Sequence, residues 1–160
     1  MTPEISTDVS SATSSEWNGY NNVGICAVAL MAVLAHIKQL SLPKALLVMP
    51  LVMHDGTVKF MGNSLVRHRQ IAALVAARAD LFANFRQRYE SSLVVTINAI
   101  QMLVASEHIH FDNAIRVNRS LELNKNFGSR ALKIEKASAN LAALLESSEE
   151  ELYLNMRVWL

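Results

Sequence analysis

The chain has one cysteine, Cys26, in 160 residues. A lone cysteine excludes an intramolecular disulfide and any zinc site built on cysteines. Cys26 lies in an apolar run, so a buried, inert thiol is expected. Glycine is scarce, at five residues. Phosphate-binding loops need glycines at fixed spacing so that backbone amides can approach the anion, and neither a P-loop nor a dinucleotide fingerprint is present. The chain is therefore not expected to hydrolyse ATP. No Gly-x-Ser-x-Gly occurs, and Cys26 has no His or Asp at a recognisable spacing, so nucleophilic catalysis is not expected. Excess charge of one sign is also missing: 15 basic residues oppose 14 acidic ones, for a net charge of +1. Such a balance gives no general drive toward nucleic acid or an acidic membrane.

No apolar run is long and clean enough to span a bilayer. The longest, Val23 to Leu40, carries His36, Lys38 and Gln39, and a buried helix is the better reading. Residues 1–16 are polar, rich in Ser and Thr, and lack the charged start and apolar stretch of a secretory signal. They read as a flexible tail on a single domain over 17–160, with a cytoplasmic location and no membrane contact.

What is present is helical periodicity. The hydrophobic share is 51%, enough for a real core with apolar surface to spare. A first helix is expected from Asn21 or Asn22 to about Leu40, with Ile25, Val28, Ala29, Ala32, Val33, His36 and Ile37 on its apolar positions. Leu42 to Met53 reads as a short buried helix that stops or kinks near Pro50. His54-Asp55-Gly56-Thr57 has turn composition. A long helix follows over Ser64 to Tyr89. Ile71, Leu74, Val75, Leu81, Phe82, Phe85 and Tyr89 share its bulky face, and Ala72, Ala76, Ala79 and Ala83 form a small-residue stripe suited to close packing. Ser91 and Ser92 are candidate caps for a helix over Leu93 to Ala105, which has no charged residue and should lie centrally.

After that helix the period changes from helical to alternating. His108-Ile109-His110-Phe111, an Asp112-Asn113 turn and Ala114 to Val117 read as a hairpin, with Ile109 and Phe111 on one side. A helix over Ser129 to Leu145 follows, with Leu132, Leu141, Leu144 and Leu145 as contacts. Ser147 and Glu150 have capping-box spacing for a last short helix. The fold expected is mainly α: about five to six helices with a small β-hairpin, a winged-helix-like segment.

Three constellations carry possible chemistry. His108, His110 and Asp112 could hold a metal. A polar, solvent-facing side of the hairpin explains them better, because no separate ligand pair supports a site. His54 and Asp55 could form an acid/base pair, but turn and helix-end chemistry explains them more simply. A helix followed by a hairpin also suggests a winged-helix DNA-binding regulator, the rival functional reading. However, the helix before the hairpin has no basic residue with which to read or grip DNA. A secondary basic set exists in Arg67, His68, Arg69, Arg86, Arg88, Arg116 and Arg119, for which a solvated surface is the simpler explanation. Arg78 falls within the bulky apolar stripe. Either its stem reaches the surface, or it pairs with a carboxylate at a subunit interface.

The order of segments from about residue 17 resembles the small middle component of three-component ABC systems, the family that includes the accessory subunit of Lamassu-type defence. The resemblance rests on Asn21-Asn22 before an apolar helix, on Leu42-Pro43-Lys44-Ala45-Leu46-Leu47-Val48-Met49-Pro50-Leu51-Val52-Met53-His54, and on Phe85-Arg86-Gln87-Arg88. It continues through the Ser91 to Ala105 helix, the hairpin, Ala131-Leu132-Lys133-Ile134 and Leu152-Tyr153-Leu154-Asn155-Met156-Arg157-Val158.

The resemblance implies a non-enzymatic subunit without cofactor or metal, placed between an SMC-like ABC ATPase and an effector, often a nuclease, in a complex that senses foreign DNA. DNA is then met only through the complex. The expected partner-binding residues are Arg78, Arg86, Arg88, Phe111 of the hairpin, and Tyr153, Met156, Val158, Trp159 and Leu160 near the apolar terminus. Removing Met156 to Leu160 is expected to break assembly while leaving the helices folded.

Overall fold

A computed structural model of the chain describes residues 16–63 and 70–160, with side chains from residue 22 onward. The tail over 1–15, the cluster Arg67, His68 and Arg69, and the expected helix start at Ser64 lie outside the described residues. Within them the architecture is the mainly helical one expected. The elements are α1 (Glu16–Leu34), α2 (Leu42–Val52), α3 (Asp55–Met61), α4 (Ile71–Ala77), α5 (Phe85–Ala105), β1 (Ile109–Phe111), β2 (Ile115–Val117), α6 (Ser129–Leu144) and α7 (Glu149–Met156). Short 3-10 turns occupy Ala79–Phe82 and Lys125–Phe127.

The core forms where α1 packs against α5 and α6, α2 against α5, α3 against α6, and α4 against α7. Leu30, Leu47, Met49, Leu51, Met61, Leu74, Phe85 and Ile134 are among its fully buried side chains. Burying each such side chain contributes roughly 1.5–3 kcal/mol.

Helix α1 begins earlier than expected and stops at Leu34 rather than near Leu40. Two long-range contacts redirect the chain there. The His36 ring hydrogen-bonds the Ser138 hydroxyl of α6 at 2.9 Å. Leu40 exchanges backbone hydrogen bonds with Ile115, at 2.9 and 2.8 Å, and so extends the hairpin by one residue. Helix α2 passes through Pro50 and ends two residues later. Proline has no amide hydrogen to donate to the Leu46 carbonyl four residues back, and the helix stops within the following turn. His54-Asp55-Gly56-Thr57 is a helix start, not a turn: the His54 side chain caps α3 by accepting from the Thr57 amide at 3.2 Å. The His54 ring lies over Gly56, where a Cβ would come within 2.8 Å of it.

The single long helix expected up to Tyr89 does not form. The backbone leaves the helical region at Arg78 (φ −139°, ψ 58°) and again at Ala83 and Asn84, the latter left-handed at φ 55°. Asparagine tolerates that conformation better than most side chains. The bulky face is nonetheless buried: Ile71, Leu74, Leu81, Phe85 and Tyr89 all reach the core, from three segments rather than one helix. Ala72, Ala76, Ala79 and Ala83 are exposed, so no close packing occurs along that stripe.

Helix α5 starts at Phe85, two turns before the expected serine caps. The Ser91 and Ser92 hydroxyls instead donate back along the helix, to the Arg88 and Tyr89 carbonyls. The cap of α7 is Ser148, one residue later than the capping-box reading, and it accepts from the Glu151 amide. The hairpin is antiparallel and pairs Ile109 with Val117, His110 with Arg116 and Phe111 with Ile115.

Candidate functional site

Helix α5 carries two faces of different fate. Phe85, Tyr89, Ser92, Thr96, Ala99 and Leu103 repeat at four- and three-residue steps and point into the core. The opposite stripe is Val94, Ile97, Gln101 and Val104, at steps of three, four and three. Val94 is 70% exposed, and Ile97, Met102 and Val104 are also open to solvent. That spacing is what a helix presents to a partner helix. The absence of charge over Leu93 to Ala105 predicts a central helix. The structure buries one side only.

The hairpin borders the open stripe. Phe111 is 40% exposed although Ile109, two residues before it on the same strand, is buried. Phe111, Leu42, Ile97, Ile100, Gln101, Val104 and Ala105 line an apolar groove of about 410 Å³. Gln101 is the one side chain there with amide hydrogen-bonding groups. Such a surface can bind by burying apolar area.

The expected partner-binding residues separate into distinct environments. Tyr153, Met156 and Val158 belong to the core, Val158 at only 2% exposure. They are therefore not available as free docking surface, and removing Met156 to Leu160 takes away core contacts. Tyr153 donates to the Pro43 carbonyl at 2.7 Å and meets Tyr89 edge-on, which ties α7 to the start of α2 and to α5. Burial raises its phenol above the usual range. Trp159 and Leu160, by contrast, are exposed, and the Arg86 guanidinium lies 5.5 Å from the Trp159 ring centre. Arg86 also pairs with Glu90 at 2.8 Å.

Arg78 does not lie on a continuous helical stripe, because the helix ends there. It forms a two-pronged pair with Asp80 and sits over the Phe60 ring at 4.7 Å. That pairing holds the Asp80 carboxyl below its usual range. Arg88 turns inward. It donates to the carbonyls of Pro50, Leu81 and Ala83 at 2.6, 2.8 and 3.2 Å.

The secondary basic set is likewise occupied where it is described. Arg116 pairs with Asp112 and donates to Gln39, and Arg119 donates to the Ser106 carbonyl. Beside the hairpin, the Arg116 charge is thus paired with a carboxylate, while Arg119 is held by a backbone carbonyl. His108 contacts the Ser106 hydroxyl at 2.9 Å, while the His110 Nε2 lies 3.8 Å from Asp112. Among the described residues, no group of three metal-ligating side chains converges. No described helix is long and apolar enough to cross a membrane.

Of the residues lining this groove, the sequence expectation includes Phe111 but not Ile97, Val104 or Leu42. The missing charge over Leu93 to Ala105 is the available signal, and it marks an apolar contact surface as well as burial. Residues 10–159 match the family model for the ABC-three component (ABC-3C) system Middle Component 3. No curated protein and no solved structure matches the chain.

Proposed function

Because the chain belongs to the ABC-three component (ABC-3C) system Middle Component 3 family, we propose that it is a non-catalytic bridging subunit. It links an SMC-like ABC ATPase to an effector, a nuclease, in cytoplasmic anti-phage or anti-plasmid defence of the Lamassu type. The observation that carries this reading is the uncharged, solvent-facing stripe of α5 with the groove beside Phe111. An apolar surface of this kind is costly in water and favourable against a partner.

A bridge needs two separate contacts, and two of the exposed apolar sites, Trp159 with Leu160 and the groove beside Phe111, lie apart. Trp159 lies beside Arg86 in the first turn of α5, while the groove reaches Val104 in its last turn. At 1.5 Å per residue, Arg86 and Val104 are separated by roughly 27 Å along the helix. That distance allows two partners to bind without competing.

The test is co-expression of the tagged chain with the ATPase and effector encoded beside it. Ile97→Asp combined with Val104→Asp is expected to release one partner and retain the other, with an unchanged melting temperature. Trp159→Ala with Leu160→Ser is expected to release the opposite one. Retention of both partners by both variants would sink the bridging assignment.

A further inference from the structure

Helices α3 and α6 flank a second cleft, of about 980 Å³, that shares no lining residue with the groove beside Phe111. Its walls carry Lys59 from the last turn of α3 and Arg130, Lys133 and Lys136 from successive turns of α6, with Asp55 as the only carboxylate among the described lining residues. Among the described residues, none of these four cations has a hydrogen-bond or ion-pair partner. By contrast, Arg78, Arg86 and Arg116 are paired with carboxylates within the chain, and Arg88 and Arg119 are held by backbone carbonyls. The cleft therefore gathers positive charge that the fold does not neutralise. Its floor is apolar, formed by Val52, Met53 and Val58.

We propose that the α3–α6 cleft binds an acidic segment of a partner protein, with carboxylates meeting Lys59, Arg130, Lys133 and Lys136 and an apolar side chain seated on Met53 and Val58. Two features favour a peptide over nucleic acid. Among the described residues no aromatic ring lines the cleft, so they offer bases no stacking platform. The apolar floor also rewards a hydrocarbon side chain, which a phosphate backbone lacks. The cations are exposed, so the attraction acts through solvent and is screened by salt. This inference concerns a surface apart from the α5 stripe and does not depend on the bridging role.

The probe is a fluorescein-labelled peptide of four Glu-Glu-Leu repeats, titrated with the full chain and followed by anisotropy. Binding is expected at low salt and should weaken by about tenfold or more when ionic strength rises from about 0.05 M to about 0.5 M. Lys133→Glu with Lys136→Glu should weaken it at least as much while leaving the melting temperature unchanged, and replacing leucine by serine in the peptide should weaken it as well. Binding unaffected by the double charge reversal, or no binding at low salt, overturns the proposal. A labelled oligonucleotide of similar charge that binds more tightly than the peptide also overturns it, and assigns the cleft to nucleic acid.

Discussion

Arg88 and Pro50 lie 38 residues apart in sequence and are joined by a hydrogen bond of 2.6 Å from the guanidinium Nη1 to the proline carbonyl. That carbonyl falls in the last turn of α2, where the helix supplies no further donor. The same guanidinium takes up the Leu81 and Ala83 carbonyls, which the break before α5 leaves free. One side chain thus closes two chain ends, and its stem and head rest near the Phe85 ring. Burial lowers the Arg88 pKa, yet arginine stays charged at neutral pH.

Arg88→Met is expected to lower folding stability by about 2–4 kcal/mol, because three carbonyls lose a charged donor at once. Arg88→Lys should recover little of that, since an ammonium cannot reproduce the planar fork. Urea unfolding of both variants measures this. Midpoints equal to the parent's would show that the carbonyls find other donors.

Removing residues 156–160 is expected to destabilise the fold, contrary to the sequence reading that left the helices intact. Met156 and Val158 are buried, and losing one large buried apolar side chain costs about 2–5 kcal/mol. Removing only Trp159 and Leu160, both exposed, should leave the melting temperature nearly unchanged. Thermal melts of the two truncations distinguish core from surface, and equal melting temperatures would contradict the placement.

Asp112 makes the hairpin acid-sensitive. The Ala114 amide, the Arg116 guanidinium and the Asn113 amide together lower its carboxyl from 3.8 to about 2. A carboxylate depressed in the fold stabilises it above the ordinary value, and that contribution is lost as pH falls from 3.8 toward about 2. The Asn113 and Ala114 amide resonances should shift in that window, and Asp112→Asn should abolish the shift. A transition centred at the ordinary carboxylate value would mean that the turn is not held as described.

Cys26 is fully buried, and burial raises its thiol from 9.0 to about 12. The native protein should therefore resist iodoacetamide at pH near 8 and react on unfolding. In the unfolded chain the thiol ionises near its ordinary value, so its contribution to stability is complete below 9.0 and declines as pH rises from there toward about 12. Alkylation of the native protein as fast as in urea would refute the burial.

Much of the helical class was legible because local patterns suffice for it. The span of α6, the hairpin with its change from helical to alternating period, and the buried state of Cys26 follow from periodicity and composition. The candidate site was only half legible. Phe111 stood out as an aromatic on a short strand, but the α5 stripe did not, because an uncharged helix gives no sign of which side will lack a neighbour.

By itself the sequence determined which residues seek burial: Ile71, Leu74, Leu81, Phe85 and Tyr89 reached the core whatever the path between them. Tertiary structure alone decided that path. It breaks the chain at Arg78 and Asn84, ends α1 where Leu40 finds Ile115, and leaves Val94, Ile97 and Val104 in solvent. The reason is that hydrophobic burial is non-directional and carries no partner label, whereas carbonyl groups freed at a chain break need a donor at one place. Arg88 reaches that place only once α2 and α5 are packed together.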